Sequence, residues 1–179
     1  MSTIAHTAEE MKATQAVSLV FALAVLLATP HRAAAQTDDV GGQFVGTWRL
    51  VSQTQRMADG TTSQDPKSAA YIIYTDTGHM CYVAMDPNRP RWASQTAPTP
   101  AEAVSTLTGF ASYCGRVEIH AAEGFVLHHV EIALTPANVG RVFKRWYSFE
   151  GPNRISLRVD GLAPPIAENT LVWERVPKP

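Results

Sequence analysis

Three side chains on one stretch carry the chemistry this sequence can offer: His128, Arg145 and Tyr147. They fall within Phe125 to Phe149, which reads as two strands joined by a turn at Thr135-Pro136-Ala137-Asn138-Val139-Gly140. Pro136 pre-sets φ and removes a ladder donor, while Asn138 and Gly140 tolerate positive φ. On the first limb, Val126, His128, Val130, Ile132 and Leu134 alternate onto one face. On the return limb, Phe143, Arg145, Tyr147 and Phe149 share a face. An imidazole among apolar neighbours needs hydrogen-bond partners, and Arg145 and Tyr147 on the adjacent strand are the expected ones. Such a group is a polar anchor or a general acid/base, with the guanidinium stabilising an anion. The alternative is a structural network that satisfies itself.

Other chemistries lack their residues. His128 and His129 are adjacent, so on a strand they point to opposite faces, and no other pair has H-x-H or H-x-x-x-H spacing. No metal site and no cofactor are expected. There is no G-x-S-x-G elbow, no glycine-rich phosphate loop and no Cys-His pair at recognisable spacing. A net charge of −1 gives no electrostatic footprint for nucleic acid or an acidic membrane surface.

The elements that position these residues begin after a leader. Ala16 to Ala28 is a run of thirteen residues without a charge, preceded by Lys12 and followed by Ala33-Ala34-Ala35. This is the layout of a secretory signal peptide over 1–35, too short for a membrane span. Residues 36–43 read as a flexible polar lead-in and 44–177 as one domain, exported to the periplasm or secreted, with no stable membrane anchor after cleavage. Strand-like runs follow at Gly46–Met57, Tyr71–Thr75, His79–Met85, Arg116–His120, Phe125–Leu134, Arg141–Phe149, Ile155–Val159 and Asn169–Val176. Between the third and fourth, Thr99-Pro100-Ala101-Glu102 forms a capping box that opens a helix. Its stripe is Ala103, Leu107, Phe110 and Cys114, ended by Gly115. The expected fold is all-β: an eight-stranded antiparallel barrel with one helix between strands 3 and 4, a two-sheet sandwich being the other geometry this pattern permits. Two cysteines in an exported chain allow one disulfide, Cys81 to Cys114, which would pin the helix across the barrel; two buried thiols are the alternative.

Several segments together resemble the lipocalin-like domain family of bacteria and fungi. They are Gly46-Thr47-Trp48-Arg49-Leu50-Val51-Ser52, Tyr71-Ile72-Ile73-Tyr74-Thr75 with Gly78, His128-His129-Val130-Glu131, Pro136 with Val139-Gly140, Arg145, and Leu171-Val172-Trp173-Glu174-Arg175. The resemblance runs from about Phe44 to Val176 and implies a lipocalin-like β-barrel with a central cavity. Gly-x-Trp is shared with lipocalins at large, where the indole closes one end of the barrel beneath a basic side chain of the last strand. Trp48 and Arg175 match those structural positions.

The function expected is binding of a small hydrophobic or amphipathic molecule in the barrel. Its wall would comprise Tyr71, Ile73, Tyr82, His128, Val130, Phe143, Arg145 and Tyr147. The alternative is an isomerase or cyclase acting on a hydrophobic substrate in the same cavity, with His128, Arg145 and Tyr147 as the catalytic candidates.

Overall fold

Alternating runs become strands, and every paired neighbour is antiparallel. The computed structural model describes residues 40–64 and 68–178, which lie within one compact unit. The expected signal peptide at 1–35 lies outside the described residues. Of the lead-in at 36–43, residues 40–43 are described, and 40–44 are helical. The strands are β1 (Gly46–Met57), β2 (Thr62–Gln64), β3 (Ala69–Tyr74), β4 (His79–Met85), β5 (Phe110–His120), β6 (Phe125–Ala133), β7 (Val142–Phe149), β8 (Arg154–Asp160) and β9 (Ile166–Arg175). One helix, α1 (Pro100–Thr108), separates β4 from β5. Strands β3 to β9 pair in sequence order, and β1 pairs with both β3 and β9. Eight strands therefore close into a barrel, with β2 added on the far half of β1. Closure satisfies the edges that an open sheet would leave unpaired.

Inner faces follow the pleat. Trp48, Ala70, Ile72, Tyr74, Met80, Ala84, Tyr113, Val126, Val130, Ile155, Leu157 and Trp173 form the buried core with Phe44. Two bulges reset the alternation. In β1, Leu50 faces Trp173 and Ser52 faces Val172, so Val51 is the extra residue and Gln53 turns inward. In β6, Cys114 faces Ile132 while Gly115 faces Val130, which leaves Glu131 unpaired. The expected sharing of one face by His128, Ile132 and Leu134 is thereby corrected: Ile132 is 70 % exposed. Gly115 permits the bulge, because a Cβ there would fall on the His129 carbonyl oxygen.

The helix starts as expected. Thr99 accepts from the Glu102 backbone N–H, and the Glu102 carboxylate accepts from the Thr99 backbone N–H at 2.7 Å. Its end is a correction: α1 stops at Thr108, and the Gly109 N–H donates to the Ser105 carbonyl. Phe110 and Cys114 belong to β5, while Val104 and Leu107 are exposed rather than turned to the barrel. Cys81 and Cys114 stand directly opposite on β4 and β5 with Cα atoms 4.1 Å apart, and their sulfurs are bonded. The disulfide joins two neighbouring strands and does not pin the helix.

Candidate functional site

The closed end of the barrel is built on Trp48. Its indole N–H donates to the Phe44 carbonyl at 2.8 Å, and the Arg175 guanidinium lies 4.0 Å above the ring centroid. Arg175 also donates to the carbonyls of Val45 (2.6 Å), Gln43 (2.6 Å) and Pro152 (2.9 Å). Phe44 packs edge-on against Tyr74, Tyr147 and Phe149 at 5.0–5.1 Å. An aromatic plug beneath a cation fills this end.

Above the plug, His128 is 1 % exposed. Tyr74 Oη lies 3.0 Å from its Nε2 and Tyr113 Oη 3.0 Å from its Nδ1. A neutral imidazole has one donor and one acceptor nitrogen, so two phenols saturate it. Removal from water lowers the pKa of His128 to about 3, and the charge of Arg145 beside it acts in the same direction. Burial also pushes Tyr74 well above the usual phenol range and Tyr82 up to about 12, with Arg145 opposing in both. The ring and these phenols are therefore uncharged at neutral pH.

Beyond His128 the inner wall leaves a pocket. A cavity of about 140 Å³ is lined by Gln53, Ile72, Tyr82, Tyr113, Arg145, Leu157, Val159, Asn169, Leu171 and Trp173. Gln53 Nε2 donates to Asn169 Oδ1 at 3.1 Å and ties β1 to β9 in its wall. Tyr82 and Tyr113 stand 5.2 Å apart, and Trp173 meets the Tyr82 ring edge-on at 6.2 Å. The Trp173 Nε1–H is buried and has no hydrogen-bond acceptor among the described residues. Larger recesses, of about 440 and 410 Å³, lie beside residues 41–45 and beside β7 and β8, and neither is lined by the inward set of the barrel around Tyr82, Tyr113 and Trp173.

The expected wall is partly relocated. Tyr82 and Arg145 line the cavity. His128 and Val130 point inward but are packed into the core, and Phe143 is half-buried against Tyr113 at 5.3 Å. Tyr71 and Ile73 are corrections: they are 44 % and 38 % exposed, because the inward set on β3 is Ala70, Ile72 and Tyr74. The grouping of His128 with Arg145 and Tyr147 is a second correction. Tyr147 belongs to the plug with Phe44 and Phe149, and the hydrogen-bond partners of His128 come from β3 and β5. The other eight lining residues, Gln53, Ile72, Tyr113, Leu157, Val159, Asn169, Leu171 and Trp173, were not expected there, and the bulge at Val51 hides the first. Outside the barrel, His129 Nε2 and His120 Nε2 meet the Glu118 carboxylate at 2.9 and 2.7 Å. Among the described residues no group of three or more potential ligands could hold a metal ion. Nor does any helix there have the length and apolarity to cross a membrane.

A closed antiparallel barrel, plugged by tryptophan under arginine, defines a class of small β-barrels with a side-chain-lined interior. Residues 45–176 match the lipocalin-like domain family, and the chain belongs to that family. No curated protein matches the sequence. Among solved structures the chain is similar to a redesigned beta barrel at 12 % identity and a TM-score of 0.41, covering 76 % of this chain and 95 % of the other.

Proposed function

We propose that this protein is an exported binder of a small amphipathic molecule, held inside the barrel. The observation that carries the reading is the pocket beyond His128, lined by apolar Ile72, Leu157, Val159 and Leu171 together with polar Gln53, Tyr82, Arg145 and Asn169. Mixed lining of this kind suits a ligand with an apolar body and one polar end. At about 140 Å³ the space is small. It falls below the ~300–1,000 Å³ of drug-sized sites, so the ligand is compact. Export is supported by the Cys81–Cys114 bond, since disulfides persist in oxidising compartments. The catalytic alternative finds little support, because both nitrogens of His128 are engaged by tyrosines and Tyr147 stands apart.

Native and denaturing mass spectrometry of the exported protein tests this reading. The native mass should exceed the denatured mass by that of one small molecule, recoverable in the organic extract. A bare native mass, combined with no thermal stabilisation by any compact amphipathic compound, would overturn it.

A further inference from the structure

The outer face of the barrel carries a groove of its own. On β7, β8 and β9 the register arranges the outward residues in rows. Trp146 stands opposite Arg158, and Arg158 opposite Thr170. One row nearer the plug, Ser148 stands opposite Ser156, and Ser156 opposite Val172. In the row after that, Arg154 stands opposite Glu174, and the Glu150 carboxylate lies 3.1 Å from Arg154 Nε. Short side chains between two rows of long ones leave a depression. It measures about 410 Å³, and its lining includes Glu123, Trp146, Ser148, Ser156, Arg158 and Thr170.

The long row beside the serines leans away from the plug. Lys144, two residues before Trp146 on β7, lies 3.8 Å over the indole, whereas Ser148 follows two residues after it, on the groove side. The Trp146 Nε1–H donates to Asp160 Oδ2 at 2.8 Å. Arg158 Nη1 donates to Asp160 and to Glu168, each at 3.1 Å. Asp160 and Glu168 face one another across β8 and β9, one row farther from the plug than Arg158. The indole is thus fixed and the guanidinium charge compensated. The side-chain hydroxyls of Ser148, Ser156 and Thr170 make no hydrogen bond among the described residues, and the Glu123 carboxylate makes neither hydrogen bond nor ion pair there.

We propose that this groove is a saccharide site, taking a neutral mono- or disaccharide. A pyranose ring presents an apolar C–H face together with hydroxyls that both donate and accept. The indole suits the first, and the serine and threonine hydroxyls with the Glu123 carboxylate suit the second. The volume of the groove lies within the ~300–1,000 Å³ of small-molecule sites. Arg158 is already paired and offers no uncompensated cation to an anion, and Glu123 repels one. The site stands outside the barrel, and its ligand is separate from the one proposed for the interior.

The test titrates maltose, cellobiose, N,N′-diacetylchitobiose and glycerol into the isotope-labelled chain, each to about 10 mM, with N–H resonances followed by NMR. At least one disaccharide should shift the Trp146 indole N–H and the Ser148 and Ser156 amides saturably, while the Trp173 indole N–H stays in place. Glycerol, which has hydroxyls but no ring face, should shift none of them. Trp146→Leu should weaken that sugar by about tenfold. Ser156→Tyr, which fills the floor with a residue suited to a strand, should abolish its binding. No saturable shift with any disaccharide in the folded parent would overturn the proposal. Shifts centred on Trp173, equal binding of glycerol, or binding that survives Ser156→Tyr would overturn it as well. All of these outcomes leave the interior binding function to its own test.

Discussion

His128 is held by two phenols in the middle of the barrel, and that arrangement makes it a stability group. Its pKa lies near 3 in the fold against 6.5 for the free side chain. Above pH 6.5 the ring is neutral in folded and unfolded chains alike, and the full stability is present. As pH falls below 6.5 the unfolded chain takes up a proton that the folded one refuses, so stability declines until the folded pKa is reached. The limiting slope is about 1.4 kcal/mol per pH unit, or about 2 kcal/mol lost by pH 5. Urea unfolding at pH 7, 6 and 5 should show this decline in the parent chain and a flatter profile in His128→Gln, which has no proton to take up. Parallel profiles would remove His128 as the cause. The inward direction of His128 was legible from its valine neighbours, but its partners were not. Tyr74 and Tyr113 lie 54 and 15 residues away along the chain, and only barrel closure brings both to one ring. Tyr71 and Ile73 were misplaced for a different reason. Every residue of YIIY is apolar or aromatic, so alternation there cannot say which face is inside.

Elements were legible where local chemistry sets them. The capping box at Thr99 and Glu102, and the turn at Pro136–Asn138, need only neighbouring residues. The end of α1 was obscured because Phe110 and Cys114 continue a helical spacing by chance, while Gly109 had already closed the helix. Strand β2 has only three exposed residues and no apolar signature. The bulges at Val51 and Glu131 appear only once the partner strand is known. The disulfide binds β4 to β5 across a separation of 33 residues, which includes the 86–98 loop and α1. Closing a loop of that length restricts the unfolded chain, worth about 3–4 kcal/mol in the chain-entropy model. The Cys81→Ser/Cys114→Ser double variant should lose about that much in equilibrium unfolding, and reductant should destabilise the parent by a similar amount while leaving the variant unaffected. A variant as stable as the parent would show that the β4–β5 ladder already fixes this loop.

At the scale of the whole barrel, closure depends on how the first and last strands meet. β1 and β9 run together from Trp48 opposite Arg175 to Met57 opposite Ile166. At the plugged end Gly46, with φ of 140°, has no side chain, and a Cβ there would meet Arg175 Nη1 at 2.6 Å. The Gly-x-Trp signature thus has a physical basis: glycine lets the guanidinium through, and tryptophan receives it. Arg175 then ties two separate parts of the chain to β9, the 43–45 segment through the carbonyls of Gln43 and Val45 and the β7–β8 connection through that of Pro152. A planar fork can serve several acceptors and stack on indole together, whereas an ammonium cannot do both with the same geometry. Arg175→Lys should therefore cost about 3 kcal/mol, the loss of one to two charge-assisted hydrogen bonds. The loss should also be local before it is global. Hydrogen exchange at the Trp48 indole, which donates to Phe44, should require complete unfolding in the parent and proceed by partial opening of residues 40–44 in the variant. If exchange still tracks global unfolding in Arg175→Lys, the plug is held by the packing of Phe44 against Tyr74, Tyr147 and Phe149 rather than by the arginine.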